Sequence, residues 1–112
     1  MSIWDGLFSS TIKTSPLAAE GISIEPDIPK IGEEVRISYD GLLADSGAEQ
    51  IYLHIGNENN WHDLEDIPMI KSSNRWVCDF VPEFSEVNFC FHDNANNWDN
   101  NNGANWSLRI EE

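Results

Sequence analysis

From residue 22 onward the apolar residues recur with a period of two, and that regularity constrains the chain more than any other feature it has. In "EEVRISYD", Val35, Ile37 and Tyr39 share one face while Glu34, Arg36 and Ser38 take the other. In "QIYLHI", Ile51, Leu53 and Ile55 point one way, Tyr52 and His54 the other. Successive side chains of a strand alternate between faces, so each stretch reads as a half-buried strand of an antiparallel sheet with one wet side. The segment "RWVCDFVPEFSEVNFCFHD" holds two such runs around Pro82 and predicts a hairpin. Its inward set is Trp76, Cys78 and Phe80 on one strand, Val87, Phe89 and Phe91 on the other. In "NWSLRI", Trp106, Leu108 and Ile110 face in. Adding "GISIEP" and "PMIKS" brings the count to about seven short strands joined by turn-rich loops. The fold class expected is all-β, an antiparallel β-sandwich of immunoglobulin-like type.

At 112 residues the chain can build one hydrophobic core. Residues 1–20 stand apart: Ile3, Trp4, Leu7, Phe8 and Ile12 recur at helical intervals before Pro16 and Gly21 break the pattern. They read as a short amphipathic N-terminal arm, packed on its own domain or offered to a protein partner, with the β-sandwich over 21–112. The first residues lack the basic and apolar regions of a secretory signal, which points to the cytoplasm, or to an extracellular location for a module excised from a longer protein. Cys78 and Cys90 are too few for a disulfide framework, and the predicted hairpin register sets them on opposite faces. Twenty acidic residues against six basic ones, a formal charge of −14, repel phosphate backbones and anionic headgroups. Nucleic acid and membrane are thereby excluded as partners, whereas a neutral polymer meets no such barrier.

Of the five tryptophans, Trp4 belongs to the arm, and the strand pattern divides the other four. Trp76 and Trp106 fall on inward positions of predicted strands and belong to the core. Trp61 and Trp98 instead sit in polar loops, "GNENNWHDLED" and "DNANNWDNNNG", rich in Asn, Asp and Gly. His54 lies on the outward face of the strand that feeds the Trp61 loop. A sugar presents an apolar C–H face and a rim of hydroxyls; an indole suits the face, and uncharged amides suit the rim at a smaller desolvation cost than ions. Burying about 100 Å² of each indole at roughly 25 cal/mol/Å² gives about 2.5 kcal/mol before association costs. Two such platforms predict dissociation constants of roughly 10 µM to 1 mM, useful mainly through avidity on a polymer.

The succession "IYLHIG", "NWHDLEDIPMIK", "RWVCDFVPE" and "VNFCFHDNANNWDNNNGANWSLRI" resembles the starch-binding carbohydrate-binding modules of family 25 and the related family 53 modules of plant starch synthases. The likeness spans about residues 20 to 111, and "WDNNNGANW" is its most specific part. The resemblance implies a non-catalytic β-sandwich that binds α-1,4-linked glucans such as starch, glycogen and maltooligosaccharides. Carried over position by position, it implies His54, Trp61 and Trp98 as the platform and Asn100, Asn101 and Asn102 as its amides.

Rival readings fare less well. From Asp93, Ala95 spoils an EF-hand at its third position, and from Asp99, Gly103 spoils the fifth; an irregular structural calcium on Asp93 or Asp99 stays open. His54, His62, His92, Cys78 and Cys90 lack paired zinc spacing and are expected to scatter over two faces, so neither metal nor cofactor is expected. No nucleophile motif appears, and a small sandwich offers little concavity for a pair of glycosidase carboxylates, so no enzyme is expected. The alternative function is a protein-interaction sandwich using Trp61, Trp98 and the arm.

Overall fold

The computed structural model describes residues 17–57 and 62–112, with only the backbone of His62 and Asp63. Most of the expected arm, and Trp61, fall outside the described residues. Among the described residues, nine strands form two sheets. The first contains β1 (Ile22–Glu25), β2 (Val35–Tyr39), β5 (Ile70–Ser72) and β6 (Arg75–Phe80) in the order β1-β2-β6-β5. The second contains β3 (Ile51–Asn57), β4 (His62–Pro68), β7 (Glu86–Asp93), β8 (Trp98–Asp99) and β9 (Trp106–Arg109), in the order β4-β3-β7-β8 with β9 also on β7. Every strand pairing within the sheets is antiparallel. A short helix, α1 (Leu42–Asp45), bridges β2 and β3.

The period-two pattern decides which residues meet between the sheets. Ile37, Tyr39, Trp76 and Cys78 of the first face Leu53, Phe89, Phe91 and Trp106 of the second in one buried cluster. Tyr39 stacks on Phe91 with ring centroids 4.0 Å apart, and Trp106 packs within 6.0 Å of both Phe89 and Phe91. Each fully buried ring of this kind stabilises the sandwich by about 1.5–3 kcal/mol relative to exposure.

Two expectations need correction. β6 and β7 are not a hairpin: β6 pairs with β2 and β5, β7 with β3, β8 and β9, so the Pro82 segment crosses from one sheet to the other. Pro82 breaks a strand whichever way the chain then turns, and its carbonyl accepts from the Gly32 amide at 2.9 Å instead of closing a tight turn. The inward set survives because each strand keeps its own parity, and Phe80 is only half-buried. The strand count also rises from seven to nine: β4, acidic and on the sheet edge, and β8, two residues long, carry too little alternation to be seen in the sequence.

The middle of β7 is buried on both sides, since its outward Asn88 and Cys90 are buried as well as its inward residues, while outward His92 is half-buried. The Ser107 hydroxyl donates to Asn88 Oδ1 at 2.6 Å. Both cysteines are free and buried, Cys78 in the first sheet and Cys90 in the second, and burial pushes each thiol up to about 11. Both are therefore protonated and unreactive at neutral pH.

Candidate functional site

The outer face of the second sheet gathers polar and aromatic side chains from three adjacent strands. Tyr52 and His54 share the outward parity of β3; His92 stands opposite Tyr52 on β7, and Asp66 of β4 stands opposite His54. His54 Nδ1 lies 2.6 Å and His92 Nε2 2.9 Å from the same oxygen, Asp66 Oδ1. Burial works to raise the Asp66 carboxyl, but hydrogen bonds from the two imidazoles outweigh it and hold it below its ordinary value. Tyr52 stacks on His92 at 4.9 Å, nearly parallel. Of the five residues expected to scatter over two faces, His54 and His92 thus share one, which follows from register: neither is close to Asp66 or to the other in sequence, and only β3–β4 and β3–β7 pairing brings them together.

Trp98 completes the face. It is 42% exposed, lies 4.4 Å from His92 and meets His54 edge-on at 5.1 Å. Rather than hanging in a loop, it belongs to β8 and pairs across the sheet with His92. Two anchors hold it there. Upstream, Asp93 accepts from the amides of Ala95 and Asn97 at 2.9 and 2.8 Å and from the Asn97 side chain at 3.0 Å, closing a tight turn in which Asn96 takes a left-handed φ of 66°. The Asn97 side chain first, and then these amides, hold the Asp93 carboxyl below its ordinary value. Downstream, Asp99 points inward as Trp98 points outward, and its Oδ2 accepts from the Tyr39 hydroxyl at 2.5 Å. That hydroxyl in turn accepts from the Leu43 amide at 3.0 Å, so one buried phenol ties the first sheet, α1 and β8 together. Burial, and then the bond to Asp99, raise the Tyr39 hydroxyl far above its ordinary range and keep it a donor. The Trp98 indole N–H donates to Asn96 Oδ1 at 3.1 Å.

β8 and β9 pair with the same side of β7, opposite Phe91–His92 and Glu86–Phe89 respectively. They are two pieces of one edge strand, broken by the asparagine loop between Asp99 and Trp106. Asn101, Asn102 and Asn105 there have φ values of 57°, 57° and 58°, and Gly103 91°. Asparagine tolerates this left-handed region better than other non-glycine residues, so much of the asparagine content answers to backbone shape. Asn100 Oδ1 accepts from the Gly103 amide at 3.0 Å and Asn101 Nδ2 donates to the Asn105 carbonyl at 3.0 Å, so each already spends one polar atom inside the loop. Asn102 is exposed.

Of the residues singled out in the sequence, His54 and Trp98 come together; Trp61 lies outside the described residues; Asn100, Asn101 and Asn102 follow directly on β8. Sequence reasoning missed Asp66 and His92 as members of the face. The signal for His92 was present, since inward Val87, Phe89 and Phe91 put it outward. Asp93 and Asp99, the calcium candidates, are engaged by the hydrogen bonds above. A groove of about 680 Å³ lies elsewhere, between the ends of β4 and β6, lined by Leu64, Glu65, Phe80 and Glu83.

Comparison with known proteins matches residues 35–89 to the model of a starch/carbohydrate-binding module, family 53. The matched span includes His54 and Asp66 and ends before His92 and Trp98. The chain is also similar to an α-amylase of Clostridium acetobutylicum, 40% identical over 80 residues. That alignment takes in 69% of this chain and 10% of the amylase, so the chain spans about a tenth of the length of the relative it matches.

Proposed function

We propose that this β-sandwich is a non-catalytic α-glucan-binding module, and that it grips its polymer with the outer face of the second sheet. One observation carries the reading: a half-exposed indole, Trp98, set against His54 and His92 on paired strands, in a chain whose residues 35–89 match a starch-binding family. The indole supplies a flat apolar surface for the C–H face of a glucose ring, and the imidazole rings packed beside it extend that surface. Asp66 serves the site by fixing the orientation of both rings. Trp61 acts as the second platform, as in the family 25 modules that the sequence resembles. Asn102, exposed beyond β8, and the atoms of Asn100 and Asn101 not used inside the loop add hydrogen bonds at the rim.

The non-catalytic part of the reading is supported by the match of residues 35–89 to a carbohydrate-binding module, whereas a glycosidase needs two carboxylates flanking the scissile bond. In a longer protein such a module raises the local concentration of polymer at a linked catalytic domain. Starch, glycogen and free maltooligosaccharides share the α-1,4 linkage and are all candidate ligands.

Calorimetric titration with maltoheptaose, and in parallel with cellohexaose, tests the reading. Saturable binding of the first, with a dissociation constant in the range of about 10 µM to 1 mM, and no response to the second, is the expected result. Silence toward both at several times the upper bound would refute it and turn attention to a protein partner for the Trp98 surface.

A further inference from the structure

His92 is held by two groups that can only accept a hydrogen bond. Its Nδ1 lies 3.2 Å from the Asp93 carbonyl oxygen, and its Nε2 lies 2.9 Å from Asp66 Oδ1. A proton on Nδ1 satisfies the carbonyl and leaves Nε2 of a neutral ring with a lone pair aimed at a carboxylate oxygen. A neutral ring has one proton for these two acceptors, so whichever nitrogen lacks it turns a lone pair toward an oxygen, and a metal ion at Nε2 can take the place of a proton between ring and carboxylate. His54 Nδ1 approaches the same carboxylate oxygen at 2.6 Å from the other side, so a second imidazole nitrogen converges on this point. Among the described residues, His54, Asp66 and His92 are the group whose ligand atoms all lie within 4.8 Å of one another.

We infer that His54, Asp66 and His92 form a binding site for a divalent transition-metal ion of the zinc class. Two imidazole nitrogens and a carboxylate suit zinc's preference for N and O donors, and three protein ligands leave a fourth position open to solvent. A carbonyl accepting from the far nitrogen of a ligating histidine is the outer-shell arrangement that orients such rings, and the Asp93 carbonyl stands in that place for His92. The three ligands sit on neighbouring hydrogen-bonded strands, β4, β3 and β7, so their spacing is fixed by sheet register. Tetrahedral zinc spaces its ligand atoms roughly 3.3 Å apart. From contacts of 2.6 and 2.9 Å, entry of the ion therefore lengthens the approach of His54 and His92 to Asp66 by roughly 0.7 and 0.4 Å. It also draws ligand atoms that lie within 4.8 Å of one another into a tighter set. Asp66, half-exposed at the sheet edge, has room to make that shift. A formal charge of −14 draws cations toward the surface.

The test is a titration of the whole chain with zinc chloride by calorimetry, repeated with magnesium chloride and with the variants His92→Gln and Asp66→Asn, circular dichroism confirming that each remains folded. One zinc ion per chain is expected, weakened at least tenfold in either variant, with no comparable uptake of magnesium. Replacing zinc with cobalt should produce visible absorption that both variants lose. Zinc binding that is absent up to about 1 mM, that both folded variants retain, or that magnesium matches would overturn the inference, the last two pointing to the acidic surface at large. Glucan binding and zinc binding are scored separately, so a chain that takes maltoheptaose but no zinc refutes only the metal site, and one that takes zinc but no glucan refutes only the sugar site.

Discussion

Trp98 and Trp106 lie eight positions apart in one asparagine-rich tract and flank the same strand, yet they have opposite surroundings. Trp106, opposite Phe89, is 6% exposed and packs among phenylalanines; Trp98, opposite His92, is 42% exposed and packs on imidazoles. Both are strand residues on the same edge of β7, so strand membership does not separate them. Parity does: Trp106 faces the direction of Phe89 and Phe91, Trp98 the direction of His92. A strand edge broken by a loop can therefore serve stability with one piece and display a ligand surface with the other, provided the loop restores the register that the break disturbs.

The largest expected effect lies on the core side. Trp106→Ala removes a buried indole and leaves a cavity between the sheets, at a cost of about 3–5 kcal/mol, enough to unfold much of the population in urea denaturation followed by circular dichroism. Next comes the tie between the two sides. Tyr39→Phe leaves the Asp99 carboxylate buried without its donor, and should cost about 1.5–3 kcal/mol in the same assay. It should also loosen Trp98, visible as a shifted fluorescence maximum in the folded state, whereas a purely core role for Tyr39 would leave that emission unchanged.

On the surface side the order reverses. Trp98→Ala should change stability by less than about 1 kcal/mol while abolishing retention in an amylopectin gel. Should it cost as much stability as Trp106→Ala, the contrast between the two residues would collapse.

The smallest effect is electrostatic. The Asp66 and Asp93 carboxyls lie below their ordinary value in the folded state, so the stability they add is present above about pH 4 and is lost as pH falls through their lower folded values. Asp66→Asn should flatten the acid limb of a plot of urea midpoint against pH slightly, because solvent screens this half-exposed group.

How much of this the sequence disclosed follows the same division. β2, β3, β6, β7 and β9 announced themselves because one of their faces is apolar, and period-two patterning is the imprint of a half-buried strand. Trp76 and Trp106 were legible as core for that reason, and His54 as outward. β4 was not, because "HDLEDIP" is an acidic edge strand whose Leu64 is exposed. Nor was the crossing at Pro82, since a breaker residue marks the end of a strand and not the sheet in which the next one lands. The triad of His54, Asp66 and His92 lay beyond reach because its members, each unremarkable alone, meet only through two pairings of β3. The asparagines were read as ligands from their chemistry, whereas the left-handed φ values of Asn96, Asn101, Asn102 and Asn105 show that backbone conformation also selects them.

The claim that the outward piece of the broken strand is the glucan surface is tested most directly by titrating the isotope-labelled chain with maltoheptaose and following the indole N–H signals by nuclear magnetic resonance. The Trp98 signal should move progressively and saturate, together with the amides of His54 and His92, while Trp76 and Trp106 stay in place. A stationary Trp98 signal, or shifts gathered instead along the groove between β4 and β6, would contradict it.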